Sequence, residues 1–563
     1  MQFTRLVVMT GLLWGLVGCG GAVSELRFEN APPVWQVNDR LDVPEKPPER
    51  EFARYQYYLD AYLTRNLPRY MSVPVPTHAL DVNSFDEVPD STWFVNRVGV
   101  RDVSPDEIRQ GPNTDDPEPP WEILSSKVGG KSLGFLIRDA RGRRYLLKFD
   151  APGHPEVETG ADVVAQRLFW ALGYHVPEDS VVFFTPDQLT LKKGAYQKDI
   201  FGNKLPLEQA QIDRQMNSLP VMADGRRRAL ASKFLDGVPI GGYAQEGVRE
   251  EDPNDTIPHE DRRVIRGQYI FFSWLRHTDI KEDNWLDMWA ESPDGKSHYI
   301  VHYLLDFGKA LGVMSRQNRQ PFDGYTYVAM DYPQILASFF SLGLWVRPWE
   351  GWTAYRPHGA GDFDIEHFHP GEFKVRQPFT PFLRRDRADD FWGAKLLMRL
   401  TEPQIRAAVE MGRYSQQETT DYLVKTLVGR QRKIGSYWFQ FMAPLDQFTV
   451  KQDTFCFDDL QLLYTLPAWD EDVDLSKTRY TARSYDYAGG STSWSAEATP
   501  NAEGHACLKG LEAASDDHDG YTILEITTTR GDDTMPPVFV HLARPKGEAE
   551  RPLSVIGIRR ESR

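Results

Sequence analysis

The chain has no run of five or more basic residues, and its 65 lysines and arginines are outnumbered by 81 aspartates and glutamates, a net charge of −16. A surface of that sign repels a phosphate backbone, which argues against general nucleic-acid binding and for solubility. No internal repeat is present. Long apolar runs are also missing, and the one at the start is too short to span a bilayer. Cysteine is scarce: Cys19, Cys456 and Cys507 are the only three. What the chain does have is bulk and aromatic content. Its 563 residues exceed one ordinary core and point to two to four domains, and 41% hydrophobic with 12% aromatic residues is globular rather than disordered.

The start reads as a targeting segment. "MQFTRLVVMTGLLWGLVGC" has one basic residue, Arg5, then a short apolar stretch, then Cys19. Leu16-Val17-Gly18-Cys19 resembles the bacterial lipobox. The resemblance implies a signal peptide over 1–19, cleavage before Cys19, and a lipid on its sulfur that anchors the chain to a membrane. Gly20 stands where an Asp would favour the inner membrane, so the expected location is the outer membrane of a bacterial cell envelope. In an exported chain Cys456 and Cys507 are expected to pair and to staple one terminal domain.

Residues 20–119 are expected to be an N-terminal extension: a Pro- and charge-rich tether to about residue 49, then a helix in "EREFARYQYYLDAYLTRNL". Residues 120–190 read as a small α+β lobe. "SLGFLIRDARGRRYLLKFD" forms a hairpin ending in Lys148. A helix follows, with Ala161, Val164, Ala165, Leu168 and Leu172 on one stripe, and then the strand "SVVFF". Residues 191–445 are expected to be mainly helical, with "PHEDRRVIRGQYIFFSWLR" as one helix and a hairpin turning at Asp294-Gly295. From 446 to 563 short alternating strands predict a small all-β, sandwich-like domain.

The chemistry-bearing residues cluster after the helix that ends near Arg276. "HTDIKEDN" places His277, Asp279 and Asn284 on the pattern H-R-D-x-x-x-x-N, with Thr278 in place of Arg. Asp306-Phe307-Gly308 follows after one hairpin, at the place of a D-F-G. Each motif alone is weak. In this order, behind a strand lysine and a helix acid, they are rare by chance.

On these residues the chain resembles the protein-kinase-like superfamily over about 120–445. "YLLKFD", "GADVVAQRLFWALGYHVPED", "WLRHTDIKEDNWLD" and "HYLLDFGKALG" look like a family of uncharacterised bacterial lipoproteins related to atypical kinases of the HipA and CotH type. The resemblance implies a two-lobed fold, ATP or another phosphate donor, and Mg²⁺. Asp279 would be the base and Lys281 the contact to the transferred phosphate. Asn284 and Asp306 would be the metal ligands. Lys148 would grip the phosphates, oriented by Asp162 or Glu158, with Asp162 preferred. Gly129, Gly130 and Gly134 would let backbone approach phosphate, although "GGKSLG" is not G-x-G-x-x-G. Thr278 and the missing A-P-E depart from ordinary protein kinases and put activation-loop control and peptide docking in doubt.

The substrate, a protein or a small molecule, is not named by any of these residues. A pseudokinase-like binding or scaffold lipoprotein, or transfer of AMP on the same fold, are the alternatives. His277 is expected to shape its loop through a hydrogen bond. Glu282 and Asp283 are expected to face solvent. The aromatic stretch "SLGLWVRPWEGWTAY" is expected to pack in a core, and His367 with His369 lacks the acids or cysteines that would complete a metal site.

Overall fold

A computed structural model describes residues 26–71, 77–127, 133–198, 203–313, 323–327, 330–347, 349–352, 355–548 and 550–563. Cys19, Gly129 and Gly130 lie outside them.

The fold is α+β. Seven strands build the first sheet: β1 (Trp121–Ser126), β2 (Gly134–Arg138), β3 (Arg144–Lys148), β4 (Asp179–Phe184), β5 (Leu189–Lys198), β6 (Lys204–Pro206) and β7 (Arg227–Lys233). Their order is β4-β7-β3-β2-β1-β5-β6. The β2–β3 hairpin pairs Gly134 with Lys148 and Arg138 with Arg144, around the Ala140–Gly142 turn. Alternate residues Phe135, Ile137, Tyr145 and Leu147 go to one face and join Trp121, Phe149 and Phe184 in a core. Helix Val157–Ala171 crosses behind this sheet and is buried along nearly all its length. Its apolar stripe packs into the core of the second lobe, against Phe271, Phe272 and Phe307.

The sheet extends past residue 190, where the sequence placed the lobe boundary, because β5, β6 and β7 all belong to it. "RRALASK" lies in the part expected to be mainly helical. It is strand β7 instead, with Leu230 opposite both Lys148 and Val181. Its Ala- and Leu-rich composition suits a helix, but the open slot between β3 and β4 decides.

The second lobe is mainly helical, built around Gln268–Trp274, Arg387–Met398, Glu402–Glu410 and Gln417–Trp438. Thr401 and Gln404 form a capping box at the start of Glu402–Glu410. The single helix expected before "HTDIKEDN" is two, Arg263–Arg266 and Gln268–Trp274, joined at Gly267. Trp392 lies so close to Gly267 that a Cβ there would come within 2.6 Å of its ring. The fully buried Arg263 and Arg266 share Asp389 at 3.1 and 3.4 Å. A three-stranded sheet, β8 (Val238–Pro239), β9 (Trp285–Glu291) and β10 (His298–Leu304), carries the hairpin that turns at Asp294-Gly295.

The C-terminal domain is two sheets with a shared core. Thr454–Asp459 pairs with Leu445–Lys451 and His505–Leu508, and a larger sheet is centred on Thr478–Tyr485, Thr522–Arg530 and Val538–Ala543. Phe455, Phe457 and Leu508 of the first pack with Tyr480, Leu524 and Val540 of the second. Asp459 ties them, receiving hydrogen bonds from Tyr480 at 2.8 Å and Arg530 at 2.8 Å. Cys456 and Cys507 form a disulfide across a directly opposed pair of strand residues, 51 positions apart. Closing a loop of that length removes chain entropy from the unfolded state worth about 4 kcal/mol. Changing both cysteines to serine is expected to lower the unfolding free energy of this domain, from urea titration against the oxidised parent, by that amount.

The stretch expected to be a tether is strapped down instead. Phe28 sits against Gly557, where a Cβ would meet its ring at 2.3 Å. Val37 and Val43 donate to the carbonyls of Asp90 and His298. A Pro-rich chain with few internal hydrogen bonds leaves its amides and carbonyls available to neighbouring edges, and here the neighbours use them.

Candidate active site

The site begins with strand alternation. Leu147 points into the sheet core, so Lys148 at the end of β3 points the other way, toward helix Val157–Ala171. Gly134 lies opposite it. A Cβ at Gly134 would come within 2.2 Å of the Leu147 carbonyl, so this glycine is required by strand packing.

Lys148 Nζ lies 3.4 Å from Asp162 Oδ2 and 3.0 Å from Asp306 Oδ1. Burial alone would depress this ammonium, but Asp306 first and Asp162 second hold it well above its ordinary value. In turn, Lys148 is the main cause that pushes the Asp306 carboxyl far below its usual range. Asp162 behaves differently. It is buried, and burial raises its carboxyl to about 8 against the pull of Lys148, helped by the neighbouring acid Asp179. Asp179, at the start of β4, is raised for the same leading reason. Two carboxyls this close and this buried retain a proton between them at neutral pH. Asp306 is therefore the full counter-charge of Lys148, and Asp162 is a hydrogen-bonding partner on a rigid helix. Glu158, the other acid considered from sequence, pairs with Lys309 at 3.5 Å.

Hairpin β9–β10 joins the two motifs. The amide of Leu305 donates to the Asn284 carbonyl at 2.8 Å, which puts Asp306 beside Asn284. Asp306 itself sits in the left-handed region at φ 61°, a conformation that costs a non-glycine residue on the order of 1–2 kcal/mol. Its neighbours supply a reason. A Cβ at Gly308 would lie 3.0 Å from Glu158 Cγ and 3.3 Å from Asp162 Oδ2, so this segment fits against the helix only without a side chain there.

In the catalytic-type loop, Asn284 Nδ2 donates to the Asp279 carbonyl at 2.7 Å. Lys281 Nζ donates to Asn284 Oδ1 and lies 3.3 Å from Asp283 and 3.8 Å from Asp279. Burial would depress Lys281, but Asp279 and Asp283 hold it charged. Asp283 is thus an ion-pair partner, and Glu282 is buried with its carboxylate 2.8 Å from Arg50. Glu282 thus departs from the solvent-facing role expected of both, whereas Asp283 is exposed as expected. The loop's outer edge is pinned where Arg376 N–H donates to the Thr278 carbonyl at 2.8 Å.

His277 also departs from expectation. It is fully buried, and neither ring nitrogen has a hydrogen-bond partner among the described residues. Burial pushes its imidazole down to about 4, so it is neutral. It shapes the loop by packing, with its ring stacked on Phe272 at 4.6 Å and tilted against Phe307.

Asp306 and Asn284 offer oxygen donors side by side, the donor type that Mg²⁺ or Mn²⁺ prefers. Each donor oxygen now faces a lysine ammonium, the expected arrangement when two cations of the protein stand near a place for bound cation and phosphate. The residues therefore fit a divalent ion. Elsewhere, the described residues bring together one group of three metal-ligating side chains, Cys456, His505 and Cys507, and two of these are disulfide-bonded. His367 stacks on Trp352 and pairs with Asp364, without His369.

Sequence reasoning missed Asp179, Lys309 and Arg50. An acid opening the buried run "DSVVFF" was the available signal for Asp179. Nothing local marks Arg50, which reaches the loop across 232 residues.

The sequence matches no protein-family model and no curated protein. Two solved structures are similar in part. A crystal structure of the Golgi casein kinase with Mn and ADP bound has 10% identity and a TM-score of 0.28, over 59% of this chain and 74% of that one. A second crystal structure of the Golgi casein kinase has 10% identity and a TM-score of 0.29, over 71% of this chain and 92% of that one.

Proposed function

We propose that the chain is a kinase-like phosphotransferase that uses a nucleoside triphosphate, or another phosphate donor, with a divalent cation. The observation that carries this reading is the bridging of Lys148 between Asp162 on a helix and Asp306 of the D-F-G, next to Asp279, Lys281 and Asn284. Phosphoryl transfer is mostly positioning and charge neutralisation, and these groups supply both. Lys148 would hold the α- and β-phosphate oxygens, with Asp162 fixing its direction. Asp306 and Asn284 would hold the cation, which when bound neutralises charge on the phosphates. Asp279 would take the proton of the acceptor hydroxyl, and Lys281 would face the transferred group. Export and a lipid anchor at Cys19 belong to the same proposal and are supported by the pattern of the first 19 residues alone.

The test is label transfer from ATP labelled at the γ or the α position, with and without Mg²⁺ or Mn²⁺. Label from γ, dependent on the cation, is the expected result. Label from α alone would replace phosphoryl transfer by nucleotidyl transfer. No nucleotide binding at millimolar concentration would leave only a binding role for the fold.

A further inference from the structure

The aromatic stretch 341–355 was expected to pack in a core; Trp349 does, but Leu342, Leu344 and Val346, with Phe339 and Phe340 just before them, are among the most exposed apolar side chains described. Helix Tyr332–Phe340 has no buried residue. Phe339 and Phe340 are 72% and 77% exposed, and Leu342 and Leu344 at the following turn are 90% and 83% exposed. Residues 332–346 contain no charge. A second such face lies beside it. Across 54–71, Tyr57 and Ala61 turn inward, while Tyr55, Leu59, Leu63, Leu67 and Met71 recur every four residues on the outside. The two segments touch, since Tyr332 Oη donates to the Tyr62 carbonyl at 3.3 Å.

A soluble surface rarely exposes so much contiguous apolar area without a partner. Three features select the partner. The shape is a protruding helix and turn, most exposed at its tip, which suits penetration rather than reception of another chain. Trp345, 42% exposed, stands at its edge, and indoles favour the boundary between headgroups and acyl chains. The sequence there is mildly basic on a chain of net −16: residues 54–71 and 332–352 carry Arg54, Arg65, Arg69 and Arg347 against Asp60 and Glu350, with Arg65 paired to Asp60 and Glu246 and Arg347 to Glu350.

We propose that these two faces form a membrane-docking platform that enters the interface of a bilayer containing anionic lipid, independently of any lipid on Cys19 and of the phosphotransferase reading. An amphipathic helix with an apolar outer face and basic flanks binds such an interface through buried area and charge together.

The test uses the full chain with Cys19→Ala, carrying one environment-sensitive dye at Leu342→Cys or, as a control, at Lys477→Cys. With phosphatidylcholine–phosphatidylglycerol vesicles the dye at 342 is expected to shift to the blue and to be quenched by a bilayer-embedded quencher, while the control does not change. The shift should weaken in phosphatidylcholine alone, and Phe339→Asp with Leu344→Asp should raise the vesicle concentration at half-effect at least about tenfold. A protein that sediments with vesicles while the dye at 342 stays unchanged would overturn the proposal and assign membrane contact to the leader. A blue shift without vesicles would also overturn it: if it grows with protein concentration a second copy covers the face, and if it does not, another part of the same chain does.

Discussion

Asp306→Asn is expected to reduce cation-dependent transfer at least a hundredfold while leaving the fold nearly intact. The substitution keeps the shape and removes one negative charge. Asp306 is the full counter-ion of Lys148, because Asp162 and Asp179 retain a proton between them. Without it the ammonium keeps its place beside Asp162 but loses its charge balance, and the cation loses its only acidic ligand of the pair. Because the Asp306 side chain is 48% exposed, solvent screens the lost attraction, and the stability cost should stay within about 1 kcal/mol. Asp279→Asn separates the roles. Loss of a general base costs about 10²–10⁴-fold in rate and should leave nucleotide affinity unchanged, whereas Asp306→Asn should weaken it. Transfer assays paired with nucleotide titration check both. Equal activity of Asp279→Asn and the parent would remove Asp279 from the chemistry.

The second large effect is acid sensitivity. Three histidines are buried and neutral: burial pushes His175 and His277 down to about 4 and His541 to about 3. In the unfolded chain each takes a proton below about 6.5. Stability from these groups is therefore fully present above 6.5 and is lost as pH falls toward 4, because the unfolded state binds the protons first. Each such proton contributes a slope of about 1.4 kcal/mol per pH unit near pH 5. Buried carboxyls that the fold keeps protonated act the other way over this range (burial raises Asp162 to about 8, Asp389 to about 7, and Asp323 and Asp390 to about 6), so the histidine share is read by comparing urea titrations of the parent and of single histidine variants from pH 7 to 4.5. His277→Phe, which keeps the stacking on Phe272, should flatten the fall by one proton's share. The same pH dependence in His277→Phe and in the parent would contradict the buried, neutral state of this ring.

Much of the site could be read in the chain because its parts are local. The β2–β3 hairpin, the stripe of helix Val157–Ala171 and the spacing from Asp279 through Asn284 to Asp306 each follow from short-range alternation or from a single hairpin. Asp162 against Glu158 could be settled only in part, because both lie on one helical face and the deciding partner, Lys309, comes from elsewhere. The misses are long-range. Strand β7 has helix-forming residues and is a strand because two neighbours leave it a slot. Arg263 and Arg266 look like solvated charges and are buried by Asp389, more than 120 positions away. His277 was expected to use its polarity, and the aromatic neighbours that it packs against use its ring. Leu342 and Leu344 show the same limit in reverse, since an apolar run reads as core and these side chains are 90% and 83% exposed.

Hairpin β9–β10 behaves as a pair of tweezers. Its rungs run from Trp285–Leu304 to Glu291–His298, about 20 Å of ladder. The jaws, Asn284 and Asp306, are at the open end, beyond the Trp285–Leu304 rung, and the Asp294-Gly295 turn is the handle. A change of length in the handle adds loop without moving the jaws. A single residue inserted within either strand would slip every rung beyond it and turn side chains to the opposite face. The handle is thus a place where a tag or reporter can be spliced without disturbing the grip, and the strands are where the spacing of the two jaws is set.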